Sequence, residues 1–368
     1  MGGLEKGAMG PFFRVSPGRM NNHVVRPVFR LGRSRFSQCL LACGMLAALA
    51  AVLAGCSRDA EPPAAPKSRS VTVALLPGLP GALVPLAAAK GYFADQGLEV
   101  TLTPTATSVA AIDALDKGQA DLTMTSETPF VLAVLDKKNV RLLATVYRSR
   151  NAISIVARRD RGISRAADLA GKRIGLVANT APDYFTVRYL EFQGIESDRV
   201  ARVLLPQEQI ERALLDGNVD AVATWPPYSS RLIARLGAQA VVFNEPLTYQ
   251  MRFGLLARPE FAAARPAVAR KFILALGNAL DFVRKYPEEA KHAIVEATKQ
   301  DPALLGNAWE PDAYMFSLDQ GLLGGLEDQA RWALSERTTR APLPNFLEFI
   351  DARPLRSARP DAVSILLP

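Results

Sequence analysis

Histidine and cysteine are nearly missing from this chain of 368 residues, which has two of the first and three of the second. Cys39, Cys43, Cys56 and His23 all fall within the first 56 residues, so the rest of the chain holds His292 alone and no thiol. That excludes an internal disulfide, a thiolate nucleophile and a Cys/His zinc site from any folded body beyond residue 56. A Ser/His/Asp relay would have to be built on His292, which reads as a solvated helix residue. Aromatic residues are sparse at 7%. No apolar run reaches the length of a membrane-spanning helix, the longest being Cys39 to Leu53, about fifteen residues where roughly twenty are needed. The basic excess is also less than it looks. Of the 44 basic residues seven lie before Cys56 (Lys6, Arg14, Arg19, Arg26, Arg30, Arg33, Arg35), against Glu5 alone of the 36 acidic ones. The first 55 residues therefore carry most of the net charge of +8, and the near-neutral remainder offers no electrostatic surface for a nucleic acid.

What is present begins with an export signal. The arginine cluster Arg26 to Arg35 followed by the short apolar run is the pattern of a signal peptide, with Met20 an alternative start to Met1. Leu53-Ala54-Gly55-Cys56 has the form of a lipobox, in which small residues admit a peptidase and the cysteine receives lipid. Residues 1–55 are therefore expected to be a cleaved leader, and 56–70 a lipidated Cys56 with a flexible Ala/Pro-rich tether. The expected location is the periplasmic side of the cell envelope.

From Val71 onward short β-rich runs alternate with helical stretches, which predicts α/β architecture with mostly parallel sheets. Strands are expected at 71–76, 98–103, 121–125 and 140–147, then at 173–177, 200–205, 220–224 and 240–243, with helices between them. After Phe261 the pattern predicts helices only, at 266–286, 287–299, 311–335 and 344–350. Two segments repeat one grammar. Ala114-Leu115-Asp116-Lys117-Gly118-Gln119-Ala120-Asp121 and Ala213-Leu214-Leu215-Asp216-Gly217-Asn218-Val219-Asp220 each end a helix at glycine and start a strand at an acid.

These segments, with Gly91 to Val100, Asp168 to Gly175, the Thr224-Trp225-Pro226-Pro227-Tyr228 loop and the closing Phe349-Ile350-Asp351 and Pro354-Leu355, resemble the NitT/TauT group of ABC substrate-binding proteins over nearly the whole mature chain. The group includes nitrate, sulfonate, taurine and thiamine-precursor receptors. The resemblance implies a type II periplasmic-binding fold: two α/β lobes joined by a two-crossover hinge near 155–160 and 245–255, with extra C-terminal helices. Lobe I would comprise 71–156 and 250–368, and lobe II 157–249. It implies a monomeric, non-enzymatic receptor without cofactor or metal, delivering its ligand to an ABC permease and its ATPase, with membrane contact only through the lipid.

The ligand is expected between the lobes, where strand ends meet helix starts. Gly78, Leu79 and Pro80 would offer backbone, and Ser126, Thr128 and Thr180 hydroxyls beside helix starts, although these three can equally cap their own helices. Asn179 and Tyr147 belong to the same strand-end loops. Trp225 and Tyr228 would form an aromatic wall, and Arg148 and Arg252 could pair with an anion or remain solvated. Converging helix starts favour an anion. Glu127 opposes one if it faces the cleft and is neutral to it if held at its helix start, so the sign of the ligand is left open. A sensing protein without transport, or an enzyme of pyrimidine or menaquinone type on the same fold, are the rival readings.

Overall fold

A computed structural model of the protein describes residues 69–299, 301–302, 308–337 and 341–366. All of them belong to one compact unit, Ala64–Pro368. The leader, Cys56 and nearly all of the tether lie outside the described residues.

Two mixed sheets organise this unit. The first has the order β11-β4-β10-β3-β1-β2, formed by Ser70–Leu75 (β1), Glu99–Pro104 (β2), Leu122–Ser126 (β3), Arg141–Ser149 (β4), Met251–Ala257 (β10) and Tyr314–Ser317 (β11). The second has the order β7-β6-β8-β5-β9, formed by Ser154–Arg158 (β5), Arg173–Leu176 (β6), Ala201–Leu204 (β7), Ala221–Thr224 (β8) and Ala240–Phe243 (β9). The chain crosses between sheets at residues 150–153 and returns at 244–250. This is the type II periplasmic-binding architecture.

The expected parallel strands form, but each sheet also takes up an antiparallel strand at a crossing. β10 runs antiparallel between β3 and β4, and β5 antiparallel between β8 and β9. Residues 154–156, expected in the first lobe, are thus part of the second sheet. Both inserted strands are apolar runs, Ile155-Val156-Ala157 and Leu255-Leu256-Ala257, buried on both faces, so they lack the alternation that marks a half-exposed strand. Beyond Phe261 strands do not cease. Where a helix was expected from 311, the chain makes a 3-10 turn at Pro311–Ala313, then β11, and only then the helix Gln320–Glu336, capped by the Asp319 carboxylate accepting the Leu322 N–H at 3.0 Å. The expected helix at 344–350 is a 3-10 turn, Phe346–Phe349.

The repeated grammar has one physical cause in both sheets. Gly118 and Gly217 adopt left-handed φ values of 72° and 76°, ending their helices. Asp121 and Asp220 then use backbone and side chain on the neighbouring parallel strand. The N–H of Asp121 donates to the Thr72 carbonyl at 2.8 Å while its carboxylate accepts the Thr72 N–H at 3.1 Å. Asp220 does the same with Arg173, at 2.9 and 3.0 Å. Each acid also holds an arginine, Arg258 at 2.8 Å and Arg173 at 2.9 Å. The long helix Pro266–Lys285 packs Phe272 on Phe93, ring centroids 4.8 Å apart, and closes the first sheet's outer layer.

Candidate functional site

A cavity of about 80 Å³ lies between the two sheets, lined from both of them and from the first crossing. One water needs roughly 10–15 Å³ on this scale, so the space suits a small organic molecule.

The first sheet contributes the loop after β1, Leu76 to Gly81, which includes Gly78, Leu79 and Pro80. The Leu79 carbonyl is fixed by the Tyr314 hydroxyl, which donates to it at 2.7 Å. Three helices start on the cavity wall. Thr107 and Ser108 open the helix Ser108–Asp116, Ser126 the helix Glu127–Leu135, and Thr180 the helix Ala181–Phe192. Thr107 caps its helix, its hydroxyl accepting the Ala110 N–H at 3.1 Å. Ser126 and Thr180 do not cap theirs, and the Thr180 hydroxyl donates backwards to the Val177 carbonyl at 2.6 Å. Two helix starts therefore face the cavity without a capping hydroxyl, an arrangement that attracts an anionic or strongly accepting ligand group, although each also has an acid in its first turn, Glu127 and Asp183, whose carboxylate accepts a nearby backbone N–H.

Apolar surface comes from Trp225 and Pro226 after β8, from Ala152 and Ile153 in the crossing, and from Met251 and Phe253 of β10 beside Tyr147 of β4. Burial, and next the charge of Glu310, push the Tyr147 phenol up, so it stays neutral.

Seven of the expected residues thus meet on one wall or another: Gly78, Leu79, Pro80, Ser126, Tyr147, Thr180 and Trp225. Six stand elsewhere. Arg148 and Arg252 are excluded by strand parity: Tyr147, Met251 and Phe253 face the cavity, so their neighbours in β4 and β10 face the opposite side. There Arg148 lies 3.8 Å from Asp319. Glu127 is also turned to that side, buried, its carboxylate accepting the Arg252 N–H at 2.7 Å. Burial raises its pKa from the ordinary 4.5 to about 7, against the lowering influence of backbone hydrogen bonds and the Arg252 charge. Glu127 therefore neither repels nor attracts a cavity ligand directly. Thr128 is buried and donates to Gln329 on the helix Gln320–Glu336. Asn179 is exposed, its N–H donating to Asp183 at 3.0 Å, and its φ of 62° makes the turn into the next helix. Tyr228 packs edge-on against Trp225, centroids 5.7 Å apart, and beneath the Arg231 guanidinium, which pairs with Glu211.

Sequence reasoning passed over Thr107, Ser108, Met251, Phe253, Asn151 and Glu310. The first two follow the same strand-end rule that located Ser126 and could have been found by it. The signal for Met251 and Phe253 was hidden because the second crossing reads as a loop and is partly a strand. Glu310 has no local signal.

Residues 82–290 match the family described as NMT1/THI5 like. A relative from Escherichia coli (strain K12), named as an aliphatic sulfonates-binding protein, is 24% identical over 52% of this chain and 60% of its own. Among solved structures, the alkanesulfonate-binding protein SsuA from Xanthomonas axonopodis pv. citri, bound to MOPS, superposes with a TM-score of 0.66 at 18% identity, over 77% of this chain and 98% of that one. The desulfurization enzyme DSZB also superposes, at a TM-score of 0.61 and 17% identity over 79% of this chain and 99% of its own, so the fold serves both receptors and enzymes. With more than half of its length matched, this chain is a member of the NMT1/THI5-like family and shares the fold of the sulfonate-binding SsuA structures.

Proposed function

We propose that the protein is an extracytoplasmic solute receptor of an ABC importer, which takes a small organic ligand bearing an anionic group into the interlobe cavity and closes on it for delivery to a permease. The observation that carries this reading is the pair of uncapped helix starts, one from each sheet's side, directed at a single apolar-walled cavity. A ligand anion held there by both helices favours the closed arrangement, because opening removes one of its two partners. The sulfonate-binding names of relatives support an anionic group, and the aromatic and aliphatic walls support an organic body. Lipidation at Cys56 and a monomeric state complete the proposal, the lipid being the membrane contact.

The enzyme reading is kept as the second one, because a desulfurization enzyme shares the fold. The two are separated by a thermal-shift and turnover screen of the purified protein against nitrate, bicarbonate, alkanesulfonates, taurine, aromatic carboxylates and pyrimidines. Binding adds RT ln(1 + [L]/Kd), so roughly a hundredfold excess over Kd contributes about 2.7 kcal/mol. Stabilisation by at least one anion-bearing compound without turnover is expected, and Trp225→Ala with Thr180→Ala should abolish it. Catalytic conversion of a panel compound would overturn the receptor reading, and unchanged binding by the double variant would overturn the site.

A further inference from the structure

The cavity has an electrostatic asymmetry that the helix starts alone do not explain. Among the described lining residues there is no lysine or arginine, and the one charged side chain is Glu310. Its position is fixed rather than incidental. One carboxylate oxygen accepts the Ser149 hydroxyl, at the end of β4, at 2.7 Å and the other accepts the side-chain amide of Asn151, in the first crossing between sheets, at 3.0 Å. No ion pair to Glu310 forms among the described residues; Arg148 faces away, toward Asp319. Each oxygen keeps accepting capacity beyond its single hydrogen bond. A half-buried carboxylate on a largely apolar wall is costly unless a cation or several donors complete it, and two neutral donors complete it only in part.

The cavity wall therefore carries both characters: partial positive charge at the starts of the helices opened by Ser126 and Thr180, and the carboxylate of Glu310. A purely anionic ligand would satisfy the first and be repelled by the second. We propose that Glu310 is a specificity-determining residue, receiving a protonated amino group or an equivalent cationic N–H donor of the ligand while the helix starts hold its anionic end. The preferred ligand class is then bipolar, with an apolar segment between its charges that lies along Trp225, Met251 and Phe253. This rests on the receptor reading above and narrows it from anionic organic solutes to those that also carry a cationic donor. It also couples selection to the hinge, since the groups that hold Glu310 are Ser149, the last residue of β4, and Asn151 in the crossing that follows it.

The test uses matched probes that differ only in the amino group: 2-aminoethanesulfonate against ethanesulfonate, and 4-(aminomethyl)benzenesulfonate against 4-methylbenzenesulfonate, titrated calorimetrically into the full-length protein and into Glu310→Gln. The wild type should favour the amino-bearing member of at least one pair by tenfold or more. Glu310→Gln should reduce that preference to about twofold or less while binding the amino-free member at least as well as the wild type does. Equal or tighter wild-type binding of the amino-free members overturns the assignment of Glu310 and leaves the receptor reading standing. A preference that survives in Glu310→Gln does the same. Failure of all four sulfonates to bind the wild type overturns the bipolar assignment, while the anionic-solute reading stands or falls separately on the wider panel above. The wild-type preference is measured without any variant, so a misfolded Glu310→Gln would not shield the proposal.

Discussion

Replacing Glu127 by Gln should make the protein more stable at pH 8 than at present and nearly unchanged at pH 5. The carboxyl group is 5% exposed and its pKa is raised by burial from 4.5 to about 7. An acid whose pKa is higher folded than unfolded binds its proton more tightly in the folded state. The folded protein therefore holds an extra proton between about pH 4.5 and pH 7, and its stability falls as pH rises through that window. Above pH 7 the loss is complete. An interval of about 2.5 pH units at 1.36 kcal/mol per unit corresponds to about 3 kcal/mol. Glutamine keeps an oxygen to accept the Arg252 N–H, and its amide can donate to Tyr249, whose buried hydroxyl lies beside Glu127 and has no aligned partner. It never ionises, so the variant should lack this pH dependence. Urea melts of both proteins at pH 5, 6, 7 and 8 should show the variant gaining on the wild type by about 2 to 3 kcal/mol across the series. A gap independent of pH, or one that narrows toward pH 8, would refute the assignment of a burial-raised carboxyl to this site.

Two glycines with nearly the same backbone test whether left-handed strain alone sets the cost. Gly97→Ala, at φ 67° with nothing near the added Cβ, should cost about 1 kcal/mol, and Gly217→Ala, at φ 76° where only the exposed guanidinium end of Arg161 has to swing aside, should cost about the same; a severalfold larger loss at Gly217 in urea melts would refute that account. For the proposed anchor, Cys56→Ser should move the protein from the membrane pellet to the soluble fraction of fractionated cells, and retention in the pellet would exclude lipidation at Cys56 as the tether.

The parallel part of the fold was legible because its signals are local. Helix, glycine and acid within eight residues fix the turn into β3 and into β8, and the same device recurs because the same backbone problem recurs. The strands that complete each sheet were not legible. β5 and β10 are short apolar runs next to crossings, where neither alternation nor turn residues separate a central strand from a linker. At the cavity, residues at strand ends and helix starts were found, since position along the chain is enough to place them. Orientation was harder. Whether Tyr147 or Arg148 faces inward depends on the register of β4 against β10, more than a hundred residues away, and a one-residue difference reverses it. Glu310 depended on contacts 161 residues distant, to Ser149, and no local pattern carries that.

The place of β10 in the middle of the first sheet has a consequence for biosynthesis. A nascent chain that has emerged only as far as residue 245 already holds every strand of the second sheet, yet in the first sheet β3 and β4 still wait for the strand that will lie between them. The inserted lobe can therefore mature while its host is still open, and chains arrested before residue 251 should expose the open edge of β3 and both edges of β4, which lacks β10 and β11, and be trapped by holdase chaperones or degraded.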